Sequence, residues 1–408
     1  MLRRATALLL ILVSFGGIRV SCVAPEHYSA NVSPAPTAVP IETPSITPVP
    51  TAAPTEGPTP EPTPIPTPTP EPVEASLMFV GDLMCLGPQQ RQAQYAAGGS
   101  GYDFSPSFRF VKPVLESADC AFGNLETALS TSWPLTKDLP RLNDSPNCNG
   151  PKEYLEAVRW AGIDVLALAN NHICDGGEAG VRETLDALDE YGLSYSGAFR
   201  SESEKRYLIV DVKGIRIGFL SYAESYYGKA GRVNDAAYML NQFTEEKVTA
   251  DIAAAKAEGA ELIVVFVHWG HEFISDPPNE VRWEHARMFA NAGADIIIGG
   301  HSHTVQPREW IETEDGRRVL CMYSLSNFIS SMSREGCRDT FIAEIRLRRE
   351  FGGSVEITEE IYHPCIIVTG AGGGYYVTVP TENTELTYLR GELDRAYERI
   401  MSILLSYS

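Results

Sequence analysis

A chain of 408 residues, 44% of them hydrophobic, can bury a large core, enough for one big domain or two ordinary ones. Its 53 acidic against 33 basic side chains leave a formal net charge of -20 with no basic stripe, which argues against nucleic-acid binding. The 8 cysteines are scattered with no CxxC pair, and an odd number remains if Cys22 is removed or lipidated, which argues against zinc-finger spacing and a dense disulfide framework.

Met1-Leu2-Arg3-Arg4 followed by the largely apolar run Ala5 to Gly17 has the charge and length of an export signal, and is too short to span a bilayer comfortably. Residues 1–23 therefore read as an export signal or an N-terminal anchor. Ser21-Cys22 resembles a bacterial lipobox, but Arg19 stands where that motif wants an aliphatic side chain, which disfavours lipid anchoring. From about Ala24 to Pro72 runs a Thr/Pro tract with more than half of the chain's 28 prolines and almost no aromatic residue. It cannot form a core, so 24–74 reads as a disordered, semi-rigid linker. The expected setting is extracellular or at the cell surface, secreted or tethered to a membrane or wall.

The folded part, 75–408, opens with the short strand Ser76 to Val80, which breaks at Gly81-Asp82. A helix-like stretch with Phe108, Val111, Val114 and Leu115 precedes the strand Cys120 to Phe122, which breaks at Gly123-Asn124-Leu125-Glu126. Pro151 suits the first position of a helix carrying Tyr154, Leu155 and Val158 on its inner face. The strand Ile163 to Ala169 breaks at Asn170-Asn171-His172. Glu178 to Tyr191 reads as an amphipathic helix with Gly192 past its end. Tyr207 to Val212 and Ile215 to Tyr222 form a hairpin turned at Lys213-Gly214. Thr244 caps a helix to Glu258, and the buried strand Leu262 to Val267 ends in His268-Trp269-Gly270-His271-Glu272. A helix from Glu280 to Ala292 leads into Asp295-Ile296-Ile297-Ile298-Gly299-Gly300, whose β-branched run stops abruptly at His301-Ser302-His303. Val319 to Leu325 ends in Ser326-Asn327. Thr340 to Arg346 and Val355 to Tyr362 look antiparallel, and Leu386, Leu389, Leu393, Tyr397, Ile400 and Leu404 mark a closing helix. Strands alternating with helices, plus antiparallel additions, predict a layered α/β sandwich.

Five strands end in Asp82, Glu126, Asn171-His172, His268 and His301-Ser302-His303. Each residue alone is explicable as turn chemistry, but ligands of open α/β sheets collect at the carboxyl ends of strands. Two carboxylates, an amide and several imidazoles are too many for one tetrahedral ion, and the lack of thiolates disfavours structural zinc. They suit two divalent ions sharing a carboxylate, roughly 3.5–4 Å apart, able to deprotonate water and clamp a phosphoryl-type oxygen. The ligand set admits Mn, Fe, Zn or Co.

Phe79-Val80-Gly81-Asp82, Gly123-Asn124-Leu125-Glu126, Ala169-Asn170-Asn171-His172, His268-Trp269-Gly270, Gly300-His301-Ser302-His303 and Tyr323-Ser324-Leu325-Ser326-Asn327-Phe328 together resemble the ordered motifs of the CapA family, the bacterial poly-gamma-glutamate capsule synthesis proteins. The resemblance covers roughly Ser76 to Phe328. It implies an α/β/β/α sandwich of the metallo-dependent phosphatase type and assigns roles by position. Asp82 would bind the first ion and Glu126 would be the bridging carboxylate. Asn171, His268 and His301 would bind the second ion, His303 would reach back to the first, and His172 would be the acid near the leaving group. Two positions depart from the superfamily pattern: Met84 stands where a histidine is usual, and Glu126 where an aspartate is. The number of ions, one or two, and phosphodiesterase activity therefore stay open.

Glu272 reads as an outer acceptor if its strand runs on, or as a rim salt bridge. Asn327, after Ser326, would support the site by hydrogen bonds or turn the chain. His285 reads as a surface or packed residue, and Cys85 and Cys174 as small buried hydrophobes. The resemblance implies an exported, surface-tethered protein acting in poly-gamma-glutamate-type capsule synthesis or export, with an anionic polymer or phosphate-type substrate and membrane polymer synthase or export proteins as partners. A secreted metal-dependent phosphoesterase and a non-catalytic scaffold are the alternatives. The acidic balance sits badly with a polyanion unless metals or local cations compensate.

Overall fold

The computed structural model of the chain describes residues 71–139, 147–275, 279–370 and 376–407. The expected export segment, nearly all of the Thr/Pro-rich linker and most of the Gly370–Gly374 run lie outside these residues.

In chain order the elements are β1 (Val73–Leu83), α1 (Gly87–Ala96), α2 (Lys112–Leu115), β2 (Cys120–Asn124), α3 (Tyr154–Trp160), β3 (Val165–Ala167), α4 (Gly177–Tyr191) and β4 (Ser194–Ser196). There follow β5 (Leu208–Val212), β6 (Ile215–Ala223), α5 (Glu245–Ala257), β7 (Leu262–His268), α6 (Glu280–Ala292) and β8 (Ile296–Gly300). The chain closes with β9 (Arg308–Glu312), β10 (Arg318–Met322), β11 (Asn327–Ile329), β12 (Asp339–Arg349), β13 (Val355–Thr369), β14 (Tyr376–Pro380) and α7 (Arg390–Leu404).

Local chemistry explains most boundaries. The Thr244 hydroxyl accepts from Lys247 N and opens α5, while Asn279 does the same for Arg282 N at α6. Gly192 ends α4 at φ 67°, and the Lys213-Gly214 turn of the β5–β6 hairpin runs through φ 52° and 84°. Pro151 stands outside α3: Tyr154 N and Leu155 N bond back to Pro151 O and Lys152 O, so a tight turn precedes the helix. On α7 the buried stripe is Leu393, Ala396, Ile400 and Leu404, and Tyr397 faces solvent. Alanine takes the inward position because a helix that lies flat on strands leaves little room for a ring there.

One sheet runs β14-β13-β12-β1-β2-β3-β4, with β11 parallel to the far end of β1; the other runs β5-β6-β7-β8-β10-β9. Leu77, Phe79, Phe122 and Val165 of the first sheet share a core with Ile217, Phe219, Val264, Phe266, Ile296 and Ile298 of the second. The first sheet's other face buries Leu155, Val158, Val181, Leu185 and Leu188 of α3 and α4; the second sheet's buries Val248, Ile252, Ala286 and Phe289 of α5 and α6. The result is the α/β/β/α sandwich expected from the sequence. The parallel strands β1, β2, β3, β7 and β8 end on one edge. Two glycines let the chain close up there. A Cβ on Gly81 would lie 1.9 Å from Ser326 O, and one on Gly299 would lie 2.0 Å from Tyr323 O.

Candidate metal centre

Asp82 is still within β1, opposite Asn124 and Asn327, where the register slips before Leu83. The slip aims its carboxylate off the sheet edge. Asn124 Nδ2 donates to Asp82 Oδ1 at 2.7 Å, and Asn170 Nδ2 donates to Asn124 Oδ1 at 3.0 Å. Asn170 also ties down the following turn, its Oδ1 accepting from His172 N and Ile173 N. Past β8 the chain brings both imidazoles round by left-handed backbone, His301 at φ 87° and His303 at φ 57°, which ordinary side chains rarely adopt.

All six positions expected to bind metal are buried. Ligand atoms of Asp82, Glu126 and His303 lie within 4.8 Å of one another, and so do those of Glu126, His268 and His301. Glu126 is common to both groups. Its Oε1 is 3.4 Å from His268 Nε2, its Oε2 is 3.8 Å from His303 Nδ1, and His303 Nδ1 is 3.5 Å from Asp82 Oδ2. Asn171 Oδ1 meets His268 Nε2 at 2.8 Å, so the amide oxygen joins the second group.

Whether these residues suit a cation is tested by their unmet bonds. Both Glu126 oxygens and His301 Nδ1 are buried without a hydrogen-bond partner. A buried carboxylate with neither oxygen satisfied is costly unless a cation meets it. Burial pushes the Glu126 carboxyl well up, and the Asp82 charge adds to it. Burial, with the neighbouring imidazoles, holds His301 well down; burial takes His268 to about 4, so both keep a free lone pair at neutral pH. Burial also works against a charge on His303, but Glu126 and Asp82 outweigh it and raise it to about 9. Burial would raise Asp82, and the bond and charge of His303 bring it below the usual range. Oxygen and nitrogen donors without thiolate fit one or two divalent ions.

His172 is held from behind. Its Nδ1 is 2.6 Å from Asp175 Oδ2, which also accepts from Cys148 N, while Asp175 Oδ1 takes Lys229 Nζ and Arg232 Nη1, each at 3.0 Å. Its Nε2 faces inward, 4.0 Å from Glu126 Oε1. Tyr227 stacks on His301 at 4.3 Å, and Phe273 lies 5.8 Å from the His303 ring. Asn327 Oδ1 is 3.0 Å from His303 Nδ1, and its Nδ2 donates to Cys337 O. Glu272 is exposed and makes neither a hydrogen bond nor a salt bridge among the described residues. Its strand stops at His268, so Glu272 stands on the loop that follows rather than on a continued strand. Met84 is wholly buried, and Cys85 and Cys174 are buried free thiols. His285 is half-buried with Glu224, and His363 pairs with Glu344 away from the site.

Sequence reasoning missed Asn124, Asn170, Asp175 and Lys229. The first three sit within motifs already singled out or just after them, and Asp175 follows His172 by one helical turn. Lys229 had no signal, since its partners arrive from another segment.

Buried carboxylates and imidazoles gathered at the strand ends of an α/β/β/α sandwich define a protein with a candidate divalent-metal centre. Residues 76–332 match the family model described as bacterial capsule synthesis protein PGA_cap, and the chain belongs to that family. It is 28% identical over 286 residues to the PGA biosynthesis protein CapA of Bacillus subtilis, covering 69% of this chain and 70% of that one. It is 27% identical over 276 residues to the capsule biosynthesis protein CapA of Bacillus anthracis, covering 67% and 64%. The matches thus span about two thirds of these relatives' own lengths. Among solved structures, a putative 5'-nucleotidase from Staphylococcus aureus overlays with TM-score 0.46 at 14% identity, covering 79% of this chain and 58% of that one. The calcineurin-like phosphoesterase YfkN from Bacillus subtilis overlays with TM-score 0.44 at 13% identity, covering 81% and 99%. The layering itself stands on the sheet order and the shared core.

Proposed function

We propose that this chain is an exported, surface-tethered CapA-like protein whose divalent-metal centre acts in synthesis or export of a poly-gamma-glutamate-type capsule. Membership of the capsule synthesis family supports involvement in capsule synthesis. The observation that carries the metal reading is Glu126, a buried carboxylate whose two oxygens lack hydrogen bonds and which is shared by two ligand groups. Asp82, Glu126 and His303 would hold one ion; Glu126, Asn171, His268 and His301 would hold the other. Bound there, one or two divalent ions of the Mn, Fe, Zn or Co type would supply Lewis acidity and an activated water. The positive charge would also offset repulsion between an acidic chain and a polyanion. No helix among the described residues is long and apolar enough to cross a membrane. Tethering is proposed through the N-terminal segment read as an export signal or anchor, with membrane polymer synthase or export proteins as partners.

A second reading, metal-dependent hydrolysis of a phosphate-type substrate, is favoured by one feature. Asp175 fixes Nδ1 of His172 and leaves Nε2 facing Glu126; burial lowers the ring below its usual value while the Asp175 charge works to raise it, and the protonated ring would donate from Nε2 to a leaving group. Tyr227 and Phe273 would wall the approach. Metal analysis of the purified protein tests the first reading: bound transition metal is expected, and its loss in the His301→Ala, His303→Ala double variant. Wild type without metal, or a double variant with unchanged content, ends it. Turnover of an aryl phosphate with added Mn²⁺, abolished in His172→Ala, would support the second; no turnover removes it.

A further inference from the structure

Most cations near the centre are engaged with acids: Lys229 and Arg232 meet Asp175, and Arg282 meets Glu224. Arg334, exposed on the loop between β11 and β12, is different. Its side chain forms neither an ion pair nor a hydrogen bond among the described residues, although Glu335 is its chain neighbour and Glu272 precedes the ring it lies on. A circuit of contacts around His303 sets its place. Asn327 Oδ1 lies 3.0 Å from His303 Nδ1, Asn327 Nδ2 donates to Cys337 O at 3.1 Å, and Cys337 N donates to Arg334 O at 3.2 Å. From the other side the Arg334 guanidinium lies on the Phe273 ring at 4.1 Å, and that ring lies 5.8 Å from the His303 ring. Phe273 N donates to Ser302 O at 2.6 Å, and Ile274 O accepts from Thr304 Oγ1 and Gln306 Nε2, each at 2.8 Å, which straps the Phe273 loop along the His303 segment. The guanidinium is thus one aromatic ring away from the His303 imidazole.

We infer that Arg334 is a substrate-binding residue: its guanidinium takes a carboxylate of an anionic polymer, next to the group that the metal centre holds. The inference rests on the metal and polymer readings above. Stacking on Phe273 holds the guanidinium by one face and leaves its edge N–H donors free, and those donors match the two oxygens of a carboxylate. A polymer with a carboxylate on every unit offers a second anion beside the one at the metals, whereas a small phosphate keeps its charge on the centre alone. A chain of net charge -20 repels a polyanion, so a cation with no acid partner beside the Asp82, Glu126 and His303 group supplies attraction where the polymer must approach. The opposite wall carries no such charge: there Tyr227 stacks on His301 at 4.3 Å. The cation therefore also gives a bound polymer its direction across the two ligand groups.

The test uses the full-length protein, first titrated with Mn²⁺ by electron paramagnetic resonance, in wild type, Arg334→Gln and Arg334→Lys. Binding of a fluorescein-labelled γ-linked pentaglutamate is then read by anisotropy, and binding of inorganic phosphate by calorimetry. Arg334→Gln is expected to weaken the pentaglutamate by about tenfold, with the gap narrowing at high salt, and to leave phosphate affinity as in wild type. Arg334→Lys should recover part of the loss, because the charge returns and the planar fork does not. Unchanged Mn²⁺ titrations and thermal midpoints are expected in both variants, since Arg334 is exposed and outside both ligand groups, and they separate substrate binding from folding. An Arg334→Gln protein that holds the pentaglutamate as wild type does overturns the inference, and so does one that loses phosphate equally. A wild type that binds Mn²⁺ but no pentaglutamate overturns it too and leaves the metal centre standing. A wild type that binds no Mn²⁺ overturns both.

Discussion

Asp175 gathers the charge behind His172. It is buried and meets His172, Lys229, Arg232 and the Cys148 amide at once. Asp175→Ala would strand the buried Lys229 ammonium, and about 3–5 kcal/mol of stability should be lost in urea unfolding. Adding Lys229→Met should return part of that loss, so the double variant unfolds at higher urea than Asp175→Ala alone. A pH effect belongs to His285, away from the centre. Burial pulls it below its usual 6.5, helped by Arg282, while Glu224 and Glu284 pull the other way and Phe243 presents its ring. The unfolded chain therefore takes up this proton first. The residue contributes nothing to pH dependence well above 6.5, and stability is lost as pH falls through 6.5 toward the lower folded value. In His285→Gln the loss between about pH 7 and pH 5 should be smaller than in wild type, with the curves parallel near pH 8. At this scale the candidate residues were legible because each stands at or just past the carboxyl end of a strand, most of them beside Gly, Asn or Asp. The supporting bonds were not, because Asn124, Asn170 and Lys229 act across segments whose approach no local pattern encodes.

The strand ends make the site possible, and two glycines let them meet. Gly299→Ala would drive a methyl to 2.0 Å from Tyr323 O and 2.5 Å from Trp269 Nε1. Neither the backbone oxygen nor the packed indole can yield cheaply, so a loss of about 3 kcal/mol or more is expected in chemical denaturation, with metal binding weakened alongside. Periodicity located the long elements well: β6, β7, β8, α4, α5 and α6 fall where alternation, β-branched runs and caps put them. Short strands escaped it. β4 and β11 are three residues each, and three residues carry no period; they are strands because a neighbour offers an edge. β10 stops at Met322, before Leu325, because the chain must turn to pass Gly299 and Gly81.

Across the molecule the two sheets are joined by a row of rings. Phe79 stacks on Phe122 at 5.3 Å, Phe122 meets Phe219 at 5.3 Å, and Phe219 meets Phe266 at 5.7 Å. Phe219→Ala should cost about 3–5 kcal/mol and, by loosening the join, lower metal affinity at the far edge, read by the same Mn²⁺ titration. Sheet order has a practical corollary for anyone cutting the gene. The recognisable stretch closes at residue 332, yet β12 starts at Asp339 and lies against β1 from Val73 to Phe79. A product trimmed to that stretch would leave the innermost strand with a naked flank, ready to zip onto another chain. What comparison picks out as a unit is thus smaller than what physics will allow to stand alone, and expression should fail as aggregate until the tail through α7 is restored.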